Sequence, residues 1–167
     1  MPERIARAEA LSRIAAEGGR PGCLMCAIRD RQVGPVHAIH EDAELLVMLP
    51  RYVTRWGQIM VLPKAHVVAF SDVAPDRWAR VNALAHRAAR VVERTRRPWR
   101  VYVASTGSGA ELTQSSMHLH VHVVPLHDPA DKPSSIFSWQ DGVLVGTDAE
   151  WAALRRDYVE AWGAVGG

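Results

Sequence analysis

Between Met117 and Pro125 the chain reads Met-His-Leu-His-Val-His-Val-Val-Pro, and this alternation constrains the fold more than any other segment. Side chains of an extended strand alternate between its faces, so His118, His120 and His122 belong to one face and Leu119, Val121 and Val123 to the other. One face is chemical and the other belongs to a core. Successive histidines on such a face lie ~6 to 7 Å apart at their Cα atoms, so neighbours can share a ligand while the outer two serve separate sites. Each buried imidazole needs partners for two ring nitrogens, which makes a chance run of alternating histidines a poor explanation. Neutral imidazole is nucleophilic near neutral pH, and the phosphoramidate formed by its attack on phosphorus stays labile enough to hydrolyse. Gln114 and Ser115, just before the histidines, are placed to meet phosphoryl oxygens or a leaving group.

The rest of the chain supplies elements for this strand to pack against. Apolar residues at Ile5, Ala8, Leu11 and Ile14 or Ala15 recur at helical spacing, predicting an amphipathic helix over Glu3 to Glu17 that Gly18-Gly19 ends. Val36 to His40, Glu44 to Leu49 and Gln58 to Leu62 read as short antiparallel strands. Trp78, Val81, Leu84 or Ala85, Ala88 and Val91 or Val92 predict a long helix from Pro75 to Arg97, which Pro98 closes. Arg100 to Ser105 and Met117 to Pro125 are two further strands, joined by a polar, glycine-bearing loop from Thr106 to Gln114. Asp141-Gly142 signals a hairpin within Trp139 to Val145, and Thr147 with Glu150 forms a capping box ahead of Trp151, Leu154, Tyr158 and Trp162 on one helical stripe. The expected class is α+β: a mainly antiparallel sheet, one long crossing helix and helical termini. We divide it into an amino-terminal helix (1–20), a core (21–128), and a carboxy-terminal hairpin and helix on the same domain (129–167).

Composition narrows the classes of function. At 167 residues the chain is the size of one domain, and with 48% hydrophobic and 23% charged residues it is ordinary globular material. A formal charge of +2, with arginines scattered among acids, gives no footprint for nucleic acid. No run approaches the ~20 apolar residues of a membrane helix, and Met1-Pro2-Glu3-Arg4 leads into a charged amphipathic segment unlike a signal peptide, so the expected compartment is the cytoplasm.

The only cysteines, Cys23 and Cys26, form a C-x-x-C pair, which in an intracellular protein points to metal or redox chemistry. Redox pairs usually open a helix directly after a strand, whereas this one follows a helix and a Gly-Gly, Pro-Gly break, so metal is favoured. Two thiolates at this spacing need two more ligands for a tetrahedral structural site, and histidines are the natural source. His37, His40, His86 and His127 carry no signal that assigns them a role.

The segment His118-Leu-His-Val-His122-Val123-Val124-Pro125 resembles the signature of the histidine-triad superfamily. Gln114-Ser115 resembles its Gln-Ser or Gln-Thr lead-in, Cys23-Leu-Met-Cys26-Ala-Ile its zinc-bearing amino-terminal element, and Gln58-Ile-Met-Val-Leu-Pro-Lys-Ala-His66 its strand ending in Pro-Lys-x-His. The resemblance runs from about Pro21 to Pro125, in the family's order. It implies that His120 is the nucleophile and forms a nucleotidyl-histidine intermediate, that His122 binds the attacked phosphate, and that Gln114 and Ser115 lie near the phosphates and leaving group. It further implies a structural zinc on Cys23, Cys26, His66 and His118, a nucleotide or dinucleoside polyphosphate substrate, and a homodimer. Hydrolases and nucleotidyl transferases both belong to the superfamily.

Two positions depart from the pattern. Where the family carries an acidic residue or asparagine for the ribose hydroxyls, this chain has Val47-Met48-Leu49-Pro50, and Thr113 stands where a glycine usually precedes the glutamine. In the following Arg51-Tyr52-Val53-Thr54-Arg55-Trp56, arginines can meet phosphates and aromatics can stack on a base, or the segment can simply cover the sheet. Besides the enzyme reading stands a zinc-stabilised nucleotide-binding or interaction module with little or no turnover. A zinc hydrolase using metal-bound water is weaker, because two cysteines and two histidines would leave no open coordination position.

Overall fold

The computed structural model describes residues 1–17, 23–106 and 118–166. Its main sheet has five antiparallel strands in the order β2 (His37–Glu41), β3 (Leu45–Leu49), β4 (Ile59–Pro63), β6 (Val121–Leu126) and β5 (Arg100–Ala104). A small second sheet pairs β1 (Glu3–Ile5) with β7 (Val143–Val145). The helices are α1 (Arg7–Glu17), α2 (Leu24–Arg29), α3 (Pro75–Arg96), α4 (Pro133–Ser138) and α5 (Asp148–Ala164).

Both faces of the main sheet are covered, which is why its central strands read as unbroken apolar runs rather than alternating ones. On one face Leu45, Val47, Leu49, Ile59, Val61, Val121 and Val123 pack under α3 and α5, against Val81, Ala85, Ala88, Val91, Trp151, Leu154 and Tyr158. On the other, Leu46, Met48, Met60 and Leu62 meet Met25, Ile28 and Val33, so α2 and the turn after it form the lid of a second, smaller core. Met60 stands opposite His122 in the β4–β6 register, which places His122 on this second face.

The long helix lies over Pro75–Arg96, with proline at its start and Arg97 in left-handed geometry (φ 47°) at its end. The capping box of α5 is present: the Glu150 backbone N–H donates to Thr147 Oγ1, and the Thr147 backbone N–H donates to the Glu150 carboxylate.

Three expectations need correction. Glu3 to Ile5 form a strand rather than a first helical turn, because β7 supplies a partner 140 residues away (Ile5 opposite Val143 through Glu3 opposite Val145). Asp141-Gly142 does turn the chain, with the Gly142 N–H donating to the Trp139 carbonyl at 3.0 Å and Gly142 at φ 75°, but the strand it leads into pairs with β1 and not with Trp139-Gln140, so there is no carboxy-terminal hairpin. Among the described residues the strand of the histidine run begins at Val121, so His118 and His120 precede it, and Met117 lies outside the described residues. Helix α2, six residues long and too short to show a periodicity, has Cys23 at its N-cap position and adds an element for which the sequence carries no signal. The loop expected between the last two strands falls, beyond Thr106, outside the described residues, as do Gln114 and Ser115.

Candidate active site and metal centre

Cys23, at the start of α2, and Cys26, within its first turn, face His66 beyond β4 and His118 ahead of β6; one ligand atom from each lies within 4.8 Å of all the others. His118 Nδ1 is 3.6 Å from Cys23 Sγ and 3.5 Å from Cys26 Sγ, and His66 Nδ1 is 3.4 Å from Cys26 Sγ. With zinc–sulfur bonds of ~2.3 Å and zinc–nitrogen bonds of ~2.0 to 2.1 Å, sulfur and nitrogen at two corners of a tetrahedron stand about 3.5 Å apart. The donor set fits a tetrahedral ion in both chemistry and spacing. The other nitrogen of His118 donates Nε2–H to the Pro63 carbonyl at 2.7 Å, which fixes the tautomer and turns the Nδ1 lone pair toward the thiols. Burial lowers the His118 pKa, with His66 and His120 adding to it against the opposing Pro63 bond, so the ring is held in its neutral, ligating form. Burial and the neighbouring Cys23 thiol push the Cys26 thiol up.

The second and third histidines of the run stand apart from this cluster and next to one another, with ring centroids 4.7 Å apart and planes at 88°. His120 donates Nδ1–H to the His118 carbonyl at 2.8 Å. A carbonyl only accepts, so the proton of a neutral His120 is on Nδ1 and its Nε2 carries the lone pair. Burial lowers the pKa of His120 despite that bond, and burial together with His120 lowers His122 to about 3, so both rings are neutral at physiological pH.

Both rings line a cavity of about 570 Å³ on the second face of the sheet, within the size range of small-molecule sites. Its apolar wall comes from Met25, Ile28, Val36, Met48 and Met60, and its polar groups include Gln58, Glu17, Arg51 and Tyr52. Helix α1 therefore contributes to this wall through Ile14 and Glu17 as well as packing by Ala10. Where an acidic residue or asparagine would hold the ribose, Val47, Met48 and Leu49 are buried apolar side chains and Pro50 is half-buried. The carboxylate that does reach the cavity is that of Glu17, which accepts from Arg51 at 2.5 Å and from the Tyr52 hydroxyl at 3.1 Å.

The 51–56 segment thus divides between its two readings. Arg51 and Tyr52 line the cavity, whereas Arg55 pairs with Asp131 (Nε to Oδ2, 3.0 Å) and Trp56 packs on Trp151 at 4.3 Å between centroids. Of the unassigned histidines, His37 stacks on Trp151 and His40 on Trp162, while His86 and His127 are exposed. A β-bulge between Ala38 and His40 lets both rings reach α5.

Two polar residues of the site, Glu17 and Gln58, carry no assignment from the sequence. Gln58, 6% exposed, places its side-chain amide 2.9 Å from His122 Nδ1. The signal available was a lone polar residue heading the apolar run Ile59 to Leu62.

The family model described as HIT domain matches residues 31–128. An uncharacterised HIT-like protein of Mycobacterium tuberculosis is 35% identical over 140 residues, covering 83% of this chain and 92% of that protein. Among solved structures, a zinc-bound histidine triad family protein from Mycobacterium smegmatis superposes with a TM-score of 0.64 at 28% identity, over 85% of this chain and 96% of that one. A hypothetical histidine triad nucleotide-binding protein from Sulfolobus tokodaii shares the fold, with a TM-score of 0.70 at 20% identity over 85% of this chain and 93% of that one. Among the described residues, no helix is long and apolar enough to cross a membrane.

Proposed function

Because the chain belongs to the histidine-triad (HIT) family, we propose that it cleaves an α-phosphate linkage of a nucleotide through a covalent nucleotidyl-histidine on His120. The observation that carries this reading is the state of that ring: Nδ1–H is engaged by the His118 carbonyl, burial keeps the imidazole neutral, and Nε2 is left as a nucleophile on a ring that lines the cavity. In the first step Nε2 bonds to the α-phosphorus as the bond to the leaving group breaks, and the leaving group takes its proton from water. In the second, the oxygen of an acceptor hydroxyl displaces His120 from phosphorus, the hydroxyl proton passes to water, and the ring returns to its starting state. Water as acceptor makes the protein a hydrolase, and phosphate or a sugar phosphate makes it a transferase.

His122, beside His120, is placed to donate to the phosphoryl oxygens, and Gln114 and Ser115 are assigned to the phosphates and leaving group by their position ahead of the run. The apolar wall from Met25 to Met60 suits a base, with Glu17 and Arg51 as the polar groups at hand for the sugar. Zinc is the proposed occupant of the Cys23, Cys26, His66 and His118 cluster, where it would tie α2 to the start of the catalytic strand and fix its geometry.

Turnover tests the proposal. Adenosine and guanosine phosphoramidates and dinucleoside polyphosphates are offered to the wild type and to His120→Ala, with metal content measured in both. Hydrolysis by the wild type alone, at equal metal content, supports the reaction; equal rates in the two proteins contradict it. The apolar stretch Val47-Met48-Leu49-Pro50 in place of an acidic residue or asparagine favours one second reading, a zinc-stabilised nucleotide-binding module, for which the same panel would show binding without turnover.

A further inference from the structure

Gln58 is the last residue before β4 and sits two positions ahead of Met60, the cross-strand partner of His122. It therefore shares a face with His122 and is its diagonal neighbour, within reach of a long side chain. The turn that delivers it is pinned: Gly57 has φ 95°, and the buried Tyr158 hydroxyl donates to the Gly57 carbonyl at 2.7 Å. Gln58 itself is 6% exposed, and the amide nitrogen lies 2.9 Å from His122 Nδ1.

An amide nitrogen only donates, so His122 Nδ1 must accept through its lone pair, and the proton of the neutral ring must sit on Nε2. Reversing the amide would let Oε1 accept from Nδ1–H, but it would only exchange one orphaned polar atom for another, since Gln58 Oε1 is buried without a partner. We propose that Gln58 is a positioning residue that holds His122 in the Nε2–H tautomer, opposite to the Nδ1–H tautomer that the His118 carbonyl imposes on His120. Two adjacent rings are thereby sorted into different work. His120 presents a lone pair at Nε2, and His122 presents a proton there, so one attacks phosphorus while the other donates to its oxygens. The burial that keeps His122 neutral supports this, because a doubly protonated ring would need no sorting.

The consequence for catalysis rests on the proposed function, whereas the tautomers do not, and the test separates them. Nitrogen-15 NMR of the labelled, zinc-loaded full chain distinguishes a protonated from an unprotonated ring nitrogen at each histidine. The expected wild-type spectrum has His122 protonated at Nε2 only and His120 at Nδ1 only. Gln58→Glu, nearly the same shape but able only to accept, is expected to draw a proton onto His122 Nδ1 without changing the fold or metal content. Gln58→Leu is expected to lower kcat roughly 10- to 100-fold with little change in KM, the range seen when a partner orienting a functional imidazole is lost. A wild-type His122 protonated at Nδ1, or a Gln58→Glu chain with Nδ1 still bare, would overturn the proposal. The expected tautomers in a chain without turnover would overturn the reaction and leave the assignment of Gln58 standing.

Discussion

Holding His122 neutral carries a cost that appears at acid pH. In the unfolded chain the ring takes a proton near the ordinary value of 6.5, while in the folded chain burial and His120 lower its pKa to about 3. A depressed pKa means that stability is fully present above about 6.5 and is lost as the pH falls toward 3, with a slope of about 1.4 kcal/mol per pH unit inside that window. Between pH 7 and pH 5 the protonation of the unfolded ring should cost about 2 kcal/mol. Exchanging the ring for a side chain that does not titrate, in His122→Gln, removes this contribution and leaves the other histidines and the cysteines in place. The assay is urea denaturation of wild type and variant at both pH values, so that acid loss of metal and protonation of His118 and His120 affect both proteins alike. The wild type should lose about 2 kcal/mol more than the variant. Equal losses, to within ~0.5 kcal/mol, would refute the reasoning and mean that His122 is hydrated and titrates near its ordinary value.

Other perturbations probe other parts of the structure. Cys23→Ser should bind less zinc, measured by elemental analysis, and lose at least ~2.7 kcal/mol of stability at zinc levels that hold the wild type well above its dissociation constant; full stability without metal would contradict a structural ion. Tyr158→Phe strands the Gly57 carbonyl and should cost ~1 to 3 kcal/mol in thermal or chemical denaturation. Gly57→Ala places a methyl 2.5 Å from the Tyr158 hydroxyl on a backbone at φ 95°, and should lower the melting temperature even where Tyr158→Phe makes room for it.

What could be read from the sequence was what depends on near neighbours. Helix α3 shows itself through its stripe from Trp78 to Val92, and α5 through a capping box whose partners are three residues apart. Cys23 and Cys26 announce themselves as candidate metal ligands by type and spacing, while His66 and His118 are indicated by the family resemblance, and the fold brings the four together. What escaped depends on pairing across the chain. Nothing near Glu3 to Ile5 shows that β7 will pair with it, so an amphipathic pattern prevailed locally over a strand. Helix α2 is stabilised by setting Met25 and Ile28 on Met48 and Met60, a contact with strands far along the chain. Gln58 acquires its role only when the register sets Met60 opposite His122, 62 residues later in the chain. The contribution of Glu17 to the cavity likewise follows from its contacts with Arg51 and Tyr52.

Covalent catalysis by His120 would form a bond from its Nε2 to phosphorus, and trapping that bond tests it. Wild type and His120→Gly are mixed with an adenosine phosphoramidate, quenched at alkaline pH to protect a phosphorus–nitrogen linkage, and weighed intact before the modified residue is mapped. A single nucleotidyl adduct is expected on the wild type, mapping to His120 and missing from the variant. An adduct of equal yield on His120→Gly, or product release from a wild type that never carries one, would contradict covalent attack by His120.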